Sequence, residues 1–231
     1  MRYTNGMNYT KPYQPPTLTV DAVIFQIVDG ALKVCLLKRT ADPFKGEWAL
    51  PGGYSPEGET TIQALERIVE YKAGINIQTD LSYIEQLYTF DTVARDPRGH
   101  AVSVTYMGAG RLLDPKKAED TGVFFAVNDL PEVAYDHKDI IAYAHERLKA
   151  KLTYTNAVYA FLPHDFTLAE VQSAYEAVLG RPLDKRNFRK KFLSLGLIEE
   201  TDQMRAGGAH RPARLYTFVS SSLQTLSRSF D

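Results

Sequence analysis

A single cysteine, Cys35, in 231 residues excludes an intrachain disulfide and a cysteine-based zinc site. Packing alone must hold the fold, and Cys35 reads as a small core side chain. Long apolar runs are equally scarce. The longest, Val20 to Val28 and Ala31 to Leu37, fall well short of the ~20 residues a membrane span needs, and the opening MRYTNGMNYTK has no apolar signal segment. The cytoplasm is the expected compartment. Fifteen glycines and twelve prolines are too few for a fibrous or low-complexity chain, while 44% apolar and 11% aromatic residues suffice for a real core. At roughly 150 residues per domain, the length fits one full-size domain plus a smaller one.

Charge becomes informative when it is split. Residues 1–150 carry 16 Lys and Arg against 20 Asp and Glu, whereas residues 151–231 carry 11 against 8. A basic C-terminal third beside an acidic remainder is the distribution expected of a nucleic-acid-binding appendage.

The first fifteen or so residues read as a flexible arm. Leu18–Val28 and Ala31–Lys38 are β-rich runs around Asp29-Gly30, a strong hairpin signal. A glycine loop, GEWALPGGY, leads into a predicted helix from about Thr60 to Ala73, with Ile62, Leu65 and Val69 as its stripe and Gly74 as its stop. Further strands are expected near Tyr83–Phe90, His100–Gly108 and Val123–Val127. A helix over about Lys138–Lys151, with Ile141, Ala144 and Leu148 on one face, closes the first domain near residue 150.

Beyond that boundary, Thr167 and Glu170 form a capping box before a stripe of Leu168, Val171, Tyr175 and Val178. Asp184 caps a second helix on which Phe188, Phe192 and Leu195 recur, and Gly196 ends it. Leu197–Thr201 and Arg214–Val219 read as strands around the loop MRAGGAHRP. Helix, turn, helix and hairpin make a winged-helix pattern. A short Ser-rich tail, 221–231, follows.

Two constellations carry chemistry. Gly53, Glu59, Arg67, Val69, Gly74 and Ile75, preceded by WALPG at 48–52, resemble the Nudix box, G-x5-E-x7-R-E-U-x-E-E-x-G-U with U apolar. That resemblance implies an α/β/α sandwich with a mixed sheet, on which the box glutamates hold Mg²⁺ or Mn²⁺ against a nucleoside diphosphate. Here the glutamate positions after the arginine fall on Ile68, Tyr71 and Lys72. Helix positions i, i+3 and i+4 share one face, so carboxylates there would converge on one divalent ion; an alkyl group, a phenol and an ammonium do not. Glu66 and Glu70 lie one or two residues from box positions and point elsewhere around the helix. The expected site therefore binds without cleaving, with no catalytic residue, metal or cofactor. The candidate effector contacts are Arg39, Trp48, Gly52, Gly53, Glu59, Lys72, Arg95 and Arg98. Glycine backbone suits phosphate, and Lys72 supplies a tethered cation where the metal would sit. Guanidinium forks match phosphate and carboxylate. Core packing competes with base stacking for Trp48, a solvated loop tip with ligand contact for Arg95 and Arg98, and an ion pair with Arg67 with ligand contact for Glu59.

The second constellation is basic. Arg181 to Lys191 holds six basic residues and one acidic one, on the helix that enters the major groove in a helix-turn-helix. Lys185, Arg186, Asn187, Arg189 and Lys190 are the candidate DNA contacts there, joined by Arg205, His210, Arg211 and Arg214 from the wing. Basic groups neutralise phosphates, and Asn187 and an arginine suit adenine and guanine edges.

A Nudix-like domain followed by LDKRNFRKKFLSLGLIEET and HRPARLYTF resembles the Nudix-related transcriptional regulators, the NrtR family, over about Leu18 to Phe218. The resemblance implies an effector-sensing domain at 17–151, a winged-helix DNA-binding domain at 152–220 and a homodimer on a palindromic operator. Its effector is expected to be a nucleotide sugar such as ADP-ribose, or alternatively a pentose, and its targets genes of NAD or sugar metabolism. The rival reading is a Mg²⁺-dependent hydrolase of ADP-ribose-like dinucleotides, with Glu59, Glu66 and Glu70 as ligands and the C-terminal module as an accessory. A third makes that module a protein-interaction domain.

Overall fold

The computed structural model of the chain describes residues 14–115, 122–207, 210–220, 222–226 and 230, and the backbone alone at 207, 210 and 211. Most of the expected arm (1–16) and part of the tail lie outside these residues. Strand β1 (Thr17–Val28) is buried almost along its whole length, as a central strand covered on both faces must be. It turns back into β2 (Ala31–Lys38) through Asp29 and Gly30, whose φ values of 54° and 73° suit a tight hairpin whose two central residues both need positive φ. The sheet also contains β3 (Trp48–Ala49), β4 (Gly52–Tyr54), β5 (Leu81–Phe90), β6 (Ala101–Gly110) and β7 (Gly122–Ala126). Its order is β3-β2-β1-β6-β5, with β4 on β1 and β7 on β2. Only the β1–β6 pair is parallel, so the sheet is mixed.

The period of two along β1 assigns its faces. Val20, Ala22 and Ile24 pack with Cys35 against helix α1 (Thr61–Ala73), while Val23 and Phe25 pack against helix α2 (His137–Tyr154) on the other side. This is the expected α/β/α sandwich. Thr60 caps α1 and Gly74, at φ 63°, ends it. The buried stripe of α1 is Ala64, Leu65, Ile68, Val69 and Ala73. Ile62, expected on that stripe, is exposed at its edge in the first turn.

The C-terminal module consists of α3 (Leu168–Leu179), α4 (Lys185–Ser194) and a hairpin of β8 (Ile198–Gly207) and β9 (His210–Phe218). Thr167 and Glu170 form the capping box at α3, and Asp184 caps α4. The hairpin is longer than the alternation of side chains suggests. Most of the stretch read as a loop is paired backbone, because the ribbon beyond Thr201 projects into solvent and its polar side chains carry no buried face.

The two modules share one core. A single cluster runs from Val23, Phe25 and Leu36 through Ile141 and Leu148 of α2 to Val158, Phe166, Tyr175, Phe188 and Phe192. His145 on α2 meets the Val178 carbonyl of α3 at 2.7 Å, and the Tyr159 hydroxyl donates to Ser82 O of β5 at 2.9 Å. The tail returns to this junction: Phe230 donates its amide to Thr153 O and packs its ring on Tyr175 at 4.8 Å. Among the described residues no helix is long and apolar enough to cross a membrane.

Candidate effector cleft and DNA-binding face

A cleft of about 430 Å³ opens where β1, β4, the second half of α1, the 95–98 turn and the start of α2 converge. Its floor is set by close backbone approach. A Cβ on Gly52 would stand 2.0 Å from Asp21 Oδ1 and 3.3 Å from Val20 O, so only glycine fits there. Gly52 and Gly53 form a short strand on β1 rather than the free loop expected from the sequence.

Behind this floor lies a buried polar network. Asp21, on the α2 side of β1, accepts from Ser103 Oγ at 2.5 Å and faces Arg95 Nη2 at 3.5 Å and His137 Nε2 at 3.7 Å. Arg95 forks onto Asp136 through Nε at 2.9 Å and Nη2 at 2.8 Å. His137 Nδ1 accepts from the Leu50 amide at 3.0 Å, so the neutral ring carries its proton on Nε2, towards Asp21. Burial pushes the His137 pKa below its ordinary value against the pull of Asp21.

The outer wall is cationic and aromatic. Arg98 is clasped by Asp96, with Nη2 to Oδ2 at 2.6 Å, and stands 5.8 Å from both the Tyr54 and Tyr135 rings. That clasp holds the Asp96 carboxyl below the usual carboxylate range. Arg39 lies over Tyr135 at 4.9 Å while donating to Pro43 O and Ala41 O of its own loop. On the α1 side, Ile68 is buried against Gly53, and the Lys72 ammonium donates to Gly52 O at 2.6 Å. Tyr71, at the remaining box position, is 62% exposed and outside the lining.

Six of the eight expected contacts, Arg39, Gly52, Gly53, Lys72, Arg95 and Arg98, line this cleft. Two do not. Trp48 packs edge-on against Phe125 at 4.7 Å, which is the core-packing alternative. Glu59 forms a two-pronged ion pair with Arg67 at 2.6 and 2.8 Å, and Arg67 also donates to Tyr54 O, tying the loop to α1. That pairing lowers the Glu59 pKa and leaves Arg67, not Glu59, on the lining. Arg95 is no loop tip either, since its side chain is 5% exposed.

On the C-terminal module, Lys185, Arg186, Asn187 and Lys190 are exposed on α4. Arg189 is partly buried, with its Nε enclosed and without a hydrogen-bond partner among the described residues. The wing arginines are engaged within the chain. Arg205 pairs with Glu170 at 2.6 Å and donates to Asp165 O, pinning the wing to the head of α3, and Arg214 pairs with Glu200 on the facing strand. The side chains of His210 and Arg211 lie outside the described residues.

Comparison with known proteins matches both modules. Residues 17–144 match the NUDIX domain and residues 158–218 the NrtR DNA-binding winged helix domain. A relative from Acinetobacter baylyi, described as the ADPR responsive transcriptional repressor NtrR, is 34% identical over 90% of this chain and 84% of its own length. The chain belongs to the NrtR family. Shewanella oneidensis NrtR, in its crystal structure with a 27mer DNA, is 33% identical with a TM-score of 0.78, over 93% of this chain and 99% of that one. An ADP-ribose pyrophosphatase from Methanocaldococcus jannaschii is 35% identical over 56% of this chain and 73% of its own.

In this NrtR-family chain the residues that sequence spacing did not single out are Asp21, Tyr54, Asp96, Tyr135, Asp136 and His137. Asp21 carried a signal, a lone carboxylate inside the apolar run TLTVDAVIFQIV, since an unpaired charge is too costly to bury there. The others had none: they sit at the end of the short strand β4, in turns and at a helix start, and only the tertiary fold gathers them.

Proposed function

We propose that this chain is a transcriptional repressor whose Nudix-type cleft binds ADP-ribose intact and thereby changes the affinity of the winged helix for operator DNA. It works as a homodimer on a palindromic site in the cytoplasm, sensing with residues 17–151 and gripping DNA with residues 152–220. Two relatives whose descriptions name ADP-ribose, one a repressor and one a hydrolase, support the choice of ligand. The observation that carries the reading of a binder is the Lys72 ammonium on the Gly52 carbonyl, beside an alkyl side chain at position 68.

A divalent cation does not fit these residues. Such an ion needs converging oxygen ligands, and the helix face offers Ile68, Tyr71 and Lys72; among the described residues no three His, Cys, Asp or Glu side chains gather as a metal site. An ammonium neutralises a diphosphate but neither generates hydroxide nor polarises a phosphoryl group as a metal does. Arg39, Arg98 and Lys72 attract the diphosphate, and the aromatic ring of Tyr54, half exposed at the rim, offers a face for the planar base.

The test is calorimetric titration with ADP-ribose in EDTA and again in Mg²⁺, followed by chromatography of the nucleotide, and mobility shift of promoter DNA with and without it. Equal binding in both buffers, intact ligand and an altered shift are expected. Mg²⁺-dependent release of AMP and ribose 5-phosphate, abolished by Glu59→Gln, would establish the hydrolase instead.

A further inference from the structure

Helix α2 starts on the wall of the cleft and ends against the DNA-binding module. Its N-cap residue, Asp136, is of a type that ordinarily accepts hydrogen bonds from first-turn amides. Thr60, Thr167 and Asp184 do so at the heads of α1, α3 and α4. Asp136 does not: its side chain makes no cap bond, and both carboxylate oxygens are taken by Arg95. The residue before it, Tyr135, sits at φ 58°, a left-handed backbone that a bulky side chain holds only under constraint. The residue after it, His137, is fixed to the Leu50 amide. Arg95, His137 and Leu50 all line the cleft. Along the 18 residues of α2, about 27 Å, the helix meets α3 twice: at mid-length through His145 and Val178 O, and in its last turn through Leu152 O, which accepts from the Tyr175 hydroxyl.

We infer that Asp136 is a two-position switch, paired with Arg95 in the free protein and capping α2 once a phosphate of the effector takes Arg95. The inference rests on the reading of the cleft as an ADP-ribose site. A phosphoryl group and a carboxylate make the same forked contact with a guanidinium, so the two compete for Arg95. A displaced Asp136 carboxylate has its second partner at hand, the first-turn amide of Lys138 at the positive end of the helix dipole, reached as the Asp136 backbone turns from ψ 14° to the extended value of the other caps, while the Asp139 amide stays on Asp136 O. Each position satisfies the charge, so the ligand's preference for one of them decides the population. Packed on one side by Ile140, Ile141, Ala144 and Leu148, α2 moves as a rod, and a displacement of its first turn arrives at α3. Asp136 acts through Arg95 and α2 and is a positioning residue.

Asp136→Asn separates the two positions, because asparagine caps as well as aspartate but offers Arg95 no charge. Ligand-free Asp136→Asn is expected to bind a promoter fragment adjoining its gene with the affinity of ADP-ribose-saturated wild type. Adding ADP-ribose then changes that affinity less than about twofold, against a coupling on the order of 5- to 150-fold in wild type. ADP-ribose itself should bind the variant several-fold tighter, the competing carboxylate being gone. An independent measurement needs no variant: amide hydrogen exchange of the full-length wild type over residues 137–141 should slow when ADP-ribose is added, as the new cap forms. A variant that responds to ADP-ribose like wild type, or exchange at that turn unmoved by the ligand, overturns the switch while leaving the cleft assignment intact. A wild type whose DNA affinity ignores ADP-ribose overturns the cleft assignment and the switch together.

Discussion

His137 can take a second proton only on Nδ1, where the Leu50 amide already donates, and only inside a site that also holds the Arg95 guanidinium. Burial, the larger influence, therefore keeps its pKa below the ordinary 6.5, although Asp21 and Asp136 pull the other way. The unfolded chain then binds a proton that the folded chain refuses. Stability is full above pH 6.5 and is lost as pH falls below it, by up to about 1.4 kcal/mol per pH unit until the folded ring titrates. His145, also held down by burial, adds in the same direction. The carboxylates held low, among them Glu85 and Asp96, act only below their ordinary values of 4.5 and 3.8, which leaves the window from 6.5 to about 5 to the histidines. The thermal midpoint of wild type should fall across that window, and His137→Gln, with an acceptor but no titrating ring, should show a shallower fall. Equal slopes for the two proteins would mean that the imidazole is solvated rather than enclosed.

Among the elements, α4 and the wing divide their charges unequally. Lys185, Arg186 and Lys190 point to solvent, whereas Arg205 and Arg214 already have carboxylate partners in Glu170 and Glu200. Only an unneutralised cation releases counterions on meeting phosphate, and each such contact contributes about 0.9 to the slope of log affinity against log salt. Arg186→Ala combined with Lys190→Ala should flatten that slope by about 1.8 per protomer in fluorescence anisotropy titrations with promoter DNA, and Arg214→Ala should change it far less. An unchanged slope in the double variant would remove α4 from the interface. The same elements show what a sequence makes legible. Capping boxes, glycine stops and apolar stripes are local, so α1, α3 and α4 could be placed from residues close together in the chain. The outer wing could not, because its strands pair through backbone while their side chains face water. Nor could the Asp21–Arg95–Asp136–His137 network, whose members are up to 116 positions apart and share no period. Its one visible trace was a charge inside an apolar strand.

For the molecule as a whole, the shared core outweighs the apparent seam near residue 150. Val158, Phe161, Phe166 and Tyr175 belong to the cluster that also holds Val23, Phe25 and Ile141, so neither module can unfold without exposing apolar surface of the other. Helix α2 lies in both, with its first turn on the cleft, its middle against α3 at His145, and its last turn under Tyr175 of α3 and the tail. A shared core binds the two modules into one cooperative unit, and a ligand that binds only the native state stabilises the entire unit. Scanning calorimetry should therefore show one unfolding transition for the full chain rather than two. ADP-ribose at 100 times its dissociation constant contributes about 2.7 kcal/mol, which for a chain of this size raises the midpoint by roughly 5 to 11 °C. The rise should be the same whether it is followed through Trp48, beside the cleft loop, or through overall helicity, to which α3 and α4 contribute. Two separate transitions, with ADP-ribose moving only the one reported by Trp48, would show that the modules fold independently and that the junction around His145 and Val178 is too weak to carry a signal between them.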